Sequence, residues 1–221
     1  MLPFTDRTEA GRLLAARLGH LSDRRPLIMA LPRGGVPVGF EVAQALGAPL
    51  DVVFVRKIGA PGHPELAVAA VVDGDTPELV VNREIAQATG ADDAYIARVE
   101  AAELRTIAER HRLYRTGRRG GSLAGRTVIV VDDGIATGST MRAALKALRQ
   151  KQPARLVVAV PVAPPDTLAT LREEVDEVVC LASPESFIAI GAFYQDFRQT
   201  TDEDVIALLK QAAATGSNHS A

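Results

Sequence analysis

The chain has 221 residues, of which 47% are hydrophobic, enough to build the core of one large domain. Its 25 basic and 27 acidic residues nearly cancel, which argues against nucleic acid or an acidic membrane surface as a partner. Residues 1–14 lack a basic start followed by an apolar stretch, and no apolar run reaches the roughly 18 residues of a membrane helix, so a cytoplasmic protein is expected.

Five short apolar runs predict buried parallel strands, because each is continuously apolar instead of alternating. They span residues 26–31, 50–57, 126–133, 154–162 and 176–182. Helical patterns lie between them at about 36–46, 139–151 and 165–174, and Thr5 or Asp6 is the candidate cap of an N-terminal helix. The expected fold class is therefore α/β, a single domain with a mainly parallel five-stranded sheet flanked by helices.

The alternation breaks after the second strand, which predicts a helical insertion at about 73–122. Just before it, segment 58–67 carries two Gly and two Pro and is interpreted as an exposed loop. The runs VAAVVDG and ELVVN suggest a small hairpin, and 83–115 predicts one or two helices. The domain is expected to end near residue 212, leaving 213–221 as a disordered tail.

Two local features are given no functional role. The single cysteine, Cys180, lies in an apolar run without a partner for an intrachain disulfide, which indicates a buried thiol in a reducing compartment. The segment 110–119 is rich in arginine, but Tyr114 is its one aromatic residue. We therefore interpret it as a solvated helix end and loop and not as a phosphate or nucleic-acid contact.

The stretch VIVVDDGIATGST, residues 128–140, places two acids directly after a predicted strand. Ligands bind outside the carboxyl ends of strands in an open parallel sheet, so Asp132 and Asp133 are expected at a binding edge. Their burial without partners would be costly, so they should face solvent, a metal or a polyol. The next residues supply two glycines, three hydroxyls and a helix start, which suit a phosphate. A ribose 5-phosphate fits both parts of the stretch, because its vicinal hydroxyls suit the two acids and its phosphate suits the loop that follows them.

Two simpler interpretations of this stretch compete with a binding site. An acid pair at a strand end also occurs as a helix cap or a turn, but the order of apolar run, acid pair, short spacer and T-G-S-T is more specific than either. A P-loop requires a G-K-[ST] ending, which this stretch lacks.

The stretch resembles the phosphoribosyl-pyrophosphate binding motif of the type I phosphoribosyltransferases. The resemblance implies transfer of a 5-phosphoribosyl group between phosphoribosyl pyrophosphate and a small nitrogenous base, with release of pyrophosphate and with magnesium as cofactor. It assigns Asp132 and Asp133 to the ribose, Asp133 also to catalysis, and magnesium to both acids indirectly, through ribose or water. It assigns the phosphate loop to Ala136, Thr137, Gly138, Ser139 and Thr140.

Two further loops match the same family. The run ALPRGGVPVG follows the first strand, where the family has its pyrophosphate loop, and assigns Arg33, Gly34 and Gly35 to the diphosphate. Glycine there would permit a strained backbone that directs amides at the ligand. The run FVRKIGAPGHPEL resembles the start of the mobile catalytic loop. It implies that Arg56 and Lys57 neutralise the leaving group and that 58–67 forms a lid, on which His63 and Glu65 are candidates to handle the acceptor proton.

The acceptor is constrained only in part. Family members that act on 6-oxopurines usually carry an Asp where this chain has Ala136, which argues against hypoxanthine or guanine. A small C-terminal hood at 183–197 is the candidate base site, with Phe187, Phe193 and Tyr194 as stacking surfaces, although core packing explains these aromatics equally well.

Two other function classes remain open from the sequence. One is a regulatory module that keeps the fold to bind phosphoribosyl pyrophosphate or a nucleotide, although near-neutral charge and the retained Arg56 and Lys57 favour an enzyme. The other is a sugar-phosphate phosphohydrolase, which would release inorganic phosphate. A homodimer is a candidate assembly for an open-sheet domain of this size, but no stretch identifies an interface.

Overall fold

The computed structural model describes residues 2–73, 77–114 and 122–217. Within them the helices are α1 Arg7–Leu18, α2 Gly35–Leu46, α3 Arg83–Thr89, α4 Asp93–Tyr114, α5 Ser139–Gln150, α6 Pro165–Glu174 and α7 Asp202–Ser217. The strands are β1 Leu27–Ala30, β2 Leu50–Val52, β3 Val55–Ala60, β4 His63–Val72, β5 Glu78–Val81, β6 Thr127–Val131, β7 Arg155–Val162 and β8 Glu177–Ala182. Two 3-10 turns span Gly19–Arg24 and Ile190–Phe193.

The main sheet confirms the α/β prediction. Its five strands run parallel in the order β2-β1-β6-β7-β8. Helices α5 and α6 pack on one face and α1 and α2 on the other, so the central strands are buried on both sides. Strands β1 and β6 are neighbours, with Ala30 opposite Val131. The loops that follow these two strands therefore emerge side by side at the carboxyl edge of the sheet.

The predicted second strand, 50–57, is in fact two strands in different sheets. Strand β2 ends at Val52, and β3 begins at Val55 in a separate antiparallel sheet of order β3-β4-β5. Between them the amide of Phe54 donates to the carboxylate of Asp73 at 2.7 Å, and the amide of Asp73 donates to the carbonyl of Phe54 at 3.0 Å. These bonds turn the chain out of the main sheet, and continuous apolar character does not reveal them.

The segment 58–67 is not an exposed loop. Strands β3 and β4 pair through it as a hairpin whose turn lies at residues 61–62. Its glycines have structural reasons: Gly62 has a φ of +74°, and a β-carbon on Gly59 would lie 2.3 Å from the carbonyl oxygen of Pro64. Gly and Pro here mark an irregular, tightly turned hairpin, because the pairing shifts register on both sides of Gly59.

The inserted segment contains the predicted hairpin and helices, and they belong to or pack on this second sheet. Strands β4 and β5 form the expected antiparallel pair, and α3 and α4 supply the expected helices. Ile107 of α4, Ile58 of β3 and Val205 of α7 are buried in one apolar cluster. The arginine-rich segment continues past Tyr114, the end of α4, but 115–121 lies outside the described residues.

The N-terminal end of the chain matches the sequence prediction, and the C-terminal end does not. Asp6 caps α1, because its carboxylate accepts a hydrogen bond from the amide of Glu9 at 2.8 Å. Helix α7 continues to Ser217, beyond residue 212, where the tail was expected to begin. Its extension through an alanine-rich stretch fits the high helix propensity of alanine, and residues 218–221 lie outside the described part of the chain.

The lone thiol is partly buried. Cys180 donates a hydrogen bond to the carbonyl of Ala182 at 3.1 Å, and burial raises the pKa of the thiol. Across the described ranges, no helix is both long and apolar enough to cross a membrane.

Candidate active site at the carboxyl edge of the sheet

The loops after β1 and β6 lie in direct contact. A β-carbon built on Gly34 would lie 2.0 Å from Oδ2 of Asp133, and one on Gly35 would lie 2.7 Å from the carbonyl oxygen of Val131. Gly34 has an ordinary φ of −62°. Lack of space for a β-carbon is therefore what requires glycine at position 34.

The acid pair is enclosed and electrostatically costly. Asp133 is 8% exposed, its amide donates to Oδ1 of Asp132 at 2.8 Å, and its carbonyl accepts from the hydroxyl of Tyr194 at 2.6 Å. Burial and the neighbouring charge of Asp133 raise the pKa of Asp132 well above its ordinary value. Burial also raises the pKa of Asp133, while Arg7 acts against that rise. The site thus holds a buried and a partly buried carboxyl group side by side at one sheet edge.

Arg7 is a site residue that the sequence analysis missed. Its Nε donates to Oδ2 of Asp133 at 2.8 Å, and its Nη1 donates to the carbonyl of Arg198 at 2.8 Å. Its guanidinium lies 3.9 Å from the ring centre of Phe197. One signal was available: Arg7 is the first residue of α1, and a basic residue in a first turn is unfavourable to the helix dipole unless it has another partner.

The predicted phosphate loop leads into α5. Gly138 has a φ of +74° and precedes the helix without a side-chain cap. Thr137 and Ser139 are exposed, with hydroxyl oxygens 3.3 Å apart, and the carbonyl of Ala136 accepts from the hydroxyl of Thr167 at 2.8 Å. Among the described residues, no side chain accepts from the first amides of α5, so this end of the helix suits an anion.

Arg33 lies beside a cavity of about 330 Å³ at the same edge. The cavity is lined by Arg7, Arg33, Gly34, Asp133, Phe197, Gln199 and Thr200. Nη1 of Arg33 is 3.9 Å from Oδ1 of Asp202, the first residue of α7, and that oxygen also accepts from the hydroxyl of Tyr114. Arg33, predicted to bind the diphosphate, is therefore connected through Asp202 to the end of the inserted helix α4.

The two cations predicted for catalysis point to opposite sides of β3. Arg56 pairs with Glu103 of α4, its Nε 2.6 Å from Oε2, whereas Lys57 is exposed. Successive side chains of a strand face opposite surfaces of its sheet, so the two cations are not brought together. His63 and Glu65 are exposed at the start of β4.

The segment predicted to form a C-terminal hood, 183–197, contacts the acid pair through Tyr194, but its aromatics are not all placed as expected. Tyr194 is only 6% exposed and packs on Phe4 with ring centres 5.4 Å apart, so it belongs to the core and not to a stacking surface. Phe187 and Phe193 are partly exposed and lie 5.0 Å apart between ring centres. Of the three predicted stacking residues, these two keep part of their rings accessible.

The described residues do not by themselves form a metal centre. They contain no group of three or more His, Cys, Asp or Glu side chains placed to hold an ion. Magnesium is commonly held by one or two carboxylates together with substrate phosphates. The acid pair fits that mode, in which the ion enters with a phosphorylated substrate.

Comparisons with known proteins agree with this geometry. A family model described as a phosphoribosyl transferase domain matches residues 7–198. The crystal structure of TT1426 from Thermus thermophilus is 46% identical in sequence, with a TM-score of 0.83, and the match covers 95% of this chain and 99% of that one.

Curated relatives from Mycobacterium tuberculosis extend the comparison. The proteins provisionally named phosphoribosyl transferase MT0597 (strain CDC 1551 / Oshkosh) and Rv0571c (strain ATCC 25618 / H37Rv) are each 46% identical over 209 residues. The match covers 95% of this chain but 47% of each relative, so the chain spans about half the length of these proteins. With the family model covering 7–198, the chain belongs to the phosphoribosyl transferase family.

Proposed function

We propose that this chain transfers a 5-phosphoribosyl group between phosphoribosyl pyrophosphate and a nitrogenous base, releasing pyrophosphate. One observation carries the proposal: α5 begins without a side-chain cap, and the acid pair before it lies in contact with the loop after the adjacent strand β1, which carries Arg33. The start of α5, which suits an anion, and the cation of Arg33 therefore adjoin two carboxylates. Phosphoribosyl pyrophosphate has the matching order of groups, a diphosphate, vicinal ribose hydroxyls and a 5-phosphate.

Each loop then has a role in the proposed displacement. Asp132 and Asp133 hold the ribose hydroxyls as positive character develops at the anomeric carbon, and residues 136–140 hold the 5-phosphate. Arg33 and the backbone at Gly34 and Gly35 hold the diphosphate. Magnesium bound to the substrate diphosphate would reduce its charge as it leaves.

The β3–β4 hairpin is the proposed lid. Arg56 would reach the diphosphate by leaving Glu103, and exposed Lys57 would add a second charge as the hairpin moves. His63 and Glu65, next to the hairpin turn, are the proposed groups for the acceptor proton.

For the acceptor we propose a planar nitrogenous base other than a 6-oxopurine. Ala136 is exposed and carries no carboxylate to contact such a purine, and Phe187 and Phe193 offer partly exposed rings for stacking.

The test is release of pyrophosphate from phosphoribosyl pyrophosphate and magnesium across a panel of bases, comparing the parent with Asp133→Asn. We expect one class of base to support release. The rate of release by Asp133→Asn should be at least about a hundredfold lower than that of the parent, the scale of a lost charge-stabilising group. The proposal fails if no base supports release and the variant is indistinguishable from the parent.

A regulatory binding module is a second candidate, and one observation favours it. Arg56 is tied to Glu103, and Lys57 points to the other face of β3, so the catalytic cations are not assembled. Tight binding of phosphoribosyl pyrophosphate without pyrophosphate release with any base would support this candidate over the enzyme.

A further inference from the structure

Arg7 is placed to control how Asp133 presents its carboxylate. The side chains of Arg7 and Asp133 are 12% and 11% exposed, and Nε of Arg7 binds Oδ2 of Asp133 at 2.8 Å. Oδ2 is also the oxygen that a β-carbon at Gly34 would meet at 2.0 Å. One oxygen of the carboxylate is therefore fixed between the N-terminal helix and the loop after β1.

The other oxygen is oriented as a consequence. Arg7 is the cation that bonds the carboxylate of Asp133, and the carboxyl of Asp132 lies beside it. Holding Oδ2 fixes the plane of the carboxylate, so Oδ1 keeps one direction.

Arg7 is itself held by the C-terminal segment. The carbonyl of Arg198 accepts from its Nη1 at 2.8 Å, and the ring of Phe197 stacks 3.9 Å from its guanidinium. A guanidinium fixed by two hydrogen bonds and an aromatic face is well placed to orient a neighbouring group.

We propose that Arg7 is a positioning residue for ribose binding, which holds Oδ2 of Asp133 so that Oδ1 is directed at a ribose hydroxyl. This inference rests on the proposed function. It gives Arg7 no contact with the diphosphate, although Arg7 and Arg33 both line the same cavity. The effect of Arg7 should therefore depend on whether a ligand carries a ribose.

The experiment compares the binding of two probes to the full chain by titration calorimetry. The probes are phosphoribosyl pyrophosphate and inorganic pyrophosphate, and magnesium is present with each. Arg7→Gln should lower the affinity for phosphoribosyl pyrophosphate at least about tenfold and the affinity for pyrophosphate by less than about twofold. Arg7→Lys should recover part of the lost affinity for phosphoribosyl pyrophosphate. The control is Arg12→Gln, which removes an exposed guanidinium from the same helix, α1, where it pairs with Glu41. It should match the parent with both probes.

Each alternative outcome has a defined meaning. Equal loss of both probes in Arg7→Gln, or no loss of either, would overturn the positioning role. If Arg7→Gln does not fold, Phe197→Leu, which removes only the stacking ring, should give a smaller loss with the same selectivity for the ribose probe, and an unselective loss would overturn the role. A parent that binds neither probe would contradict the proposed function itself, and the inference with it.

Discussion

Gly34 and Asp133 lie so close that a β-carbon on the glycine would stand 2.0 Å from Oδ2 of the acid. Two loops separated by about a hundred residues of sequence thereby share one small volume, with backbone on one side and a carboxylate on the other. Real β-carbons essentially never approach this closely, so any larger residue at position 34 must displace one of the loops.

Gly34→Ala should therefore weaken both ligand binding and folding. Asp133 and the loop after β1 must separate to make room for the methyl group. We expect the affinity for phosphoribosyl pyrophosphate with magnesium to fall at least about tenfold. The free energy of unfolding should fall by about 1–3 kcal/mol, as in other overpacked sites. Calorimetry and chemical denaturation measure the two effects. Gly19→Ala is the matched control, because a β-carbon there meets nothing within 4 Å and its φ is −54°.

Asp132→Asn should stabilise the protein at neutral pH. Burial, then the charge of Asp133, raises the pKa of Asp132, so the folded state binds a proton there more readily than the unfolded chain. The resulting stability is present at low pH and is lost as pH rises through the folded pKa. The amide should raise the free energy of unfolding by about 1–2 kcal/mol at pH 7 and by less at about pH 4.

Denaturation at the two pH values checks this expectation, with Asp23→Asn as the exposed control. An equal gain at both pH values, or a loss at pH 7, would contradict it. The same variant should bind phosphoribosyl pyrophosphate more weakly. Functional groups at a binding site often lower the stability of the fold, so a change that stabilises the fold at such a site commonly weakens function.

Glu103→Gln should assist the lid. The side chains of Arg56 and Glu103 are 41% and 21% exposed, so their pair contributes about 0.5–1 kcal/mol that lid movement must overcome. Weakening it should raise the rate of pyrophosphate release by about two- to fivefold, whereas Arg56→Gln should lower it. Glu100→Gln, on the same helix, is the control and should behave as the parent. A slower reaction in Glu103→Gln would show that the pair supports the active state.

Asp202→Asn should strengthen pyrophosphate binding. Asp202 lies 3.9 Å from Arg33 and competes with an incoming anion for that cation. Burial and the hydrogen bond to Asp202 raise the pKa of Tyr114 to about 12, so the hydroxyl remains a donor to this oxygen at neutral pH.

Removing the charge of this partly exposed pair should tighten binding of magnesium pyrophosphate by about two- to fivefold in calorimetry. Asp204→Asn removes a charge from the same helical turn without contacting Arg33, and it should have a smaller effect. Weaker binding in Asp202→Asn would mean that this carboxylate holds Arg33 in its binding position.

The sequence predicted features whose cause is local. Continuous apolar runs gave the five parallel strands, with one wrong boundary, and Asp6 proved to be the cap of α1 because a cap depends on residues within one helical turn. The acid pair and the glycines at 34 and 35 could be located because strand ends in an open sheet lie at a common edge.

Only the tertiary structure decided which groups the acid pair meets. Arg7 lies 126 residues from Asp133, and Tyr194 lies 61 residues from it, so no periodicity or short motif connects them. Sequence distance also hid two other contacts. One is the bond between Asp73 and Phe54 at the turn between β2 and β3. The other is the pair of Arg56 with Glu103, whereas Arg56 was predicted to bind the leaving diphosphate. Sequence patterns record burial and turns, whereas the partners of a charged side chain are set by where distant segments pack, and this decides which oxygen of Asp133 remains for a substrate.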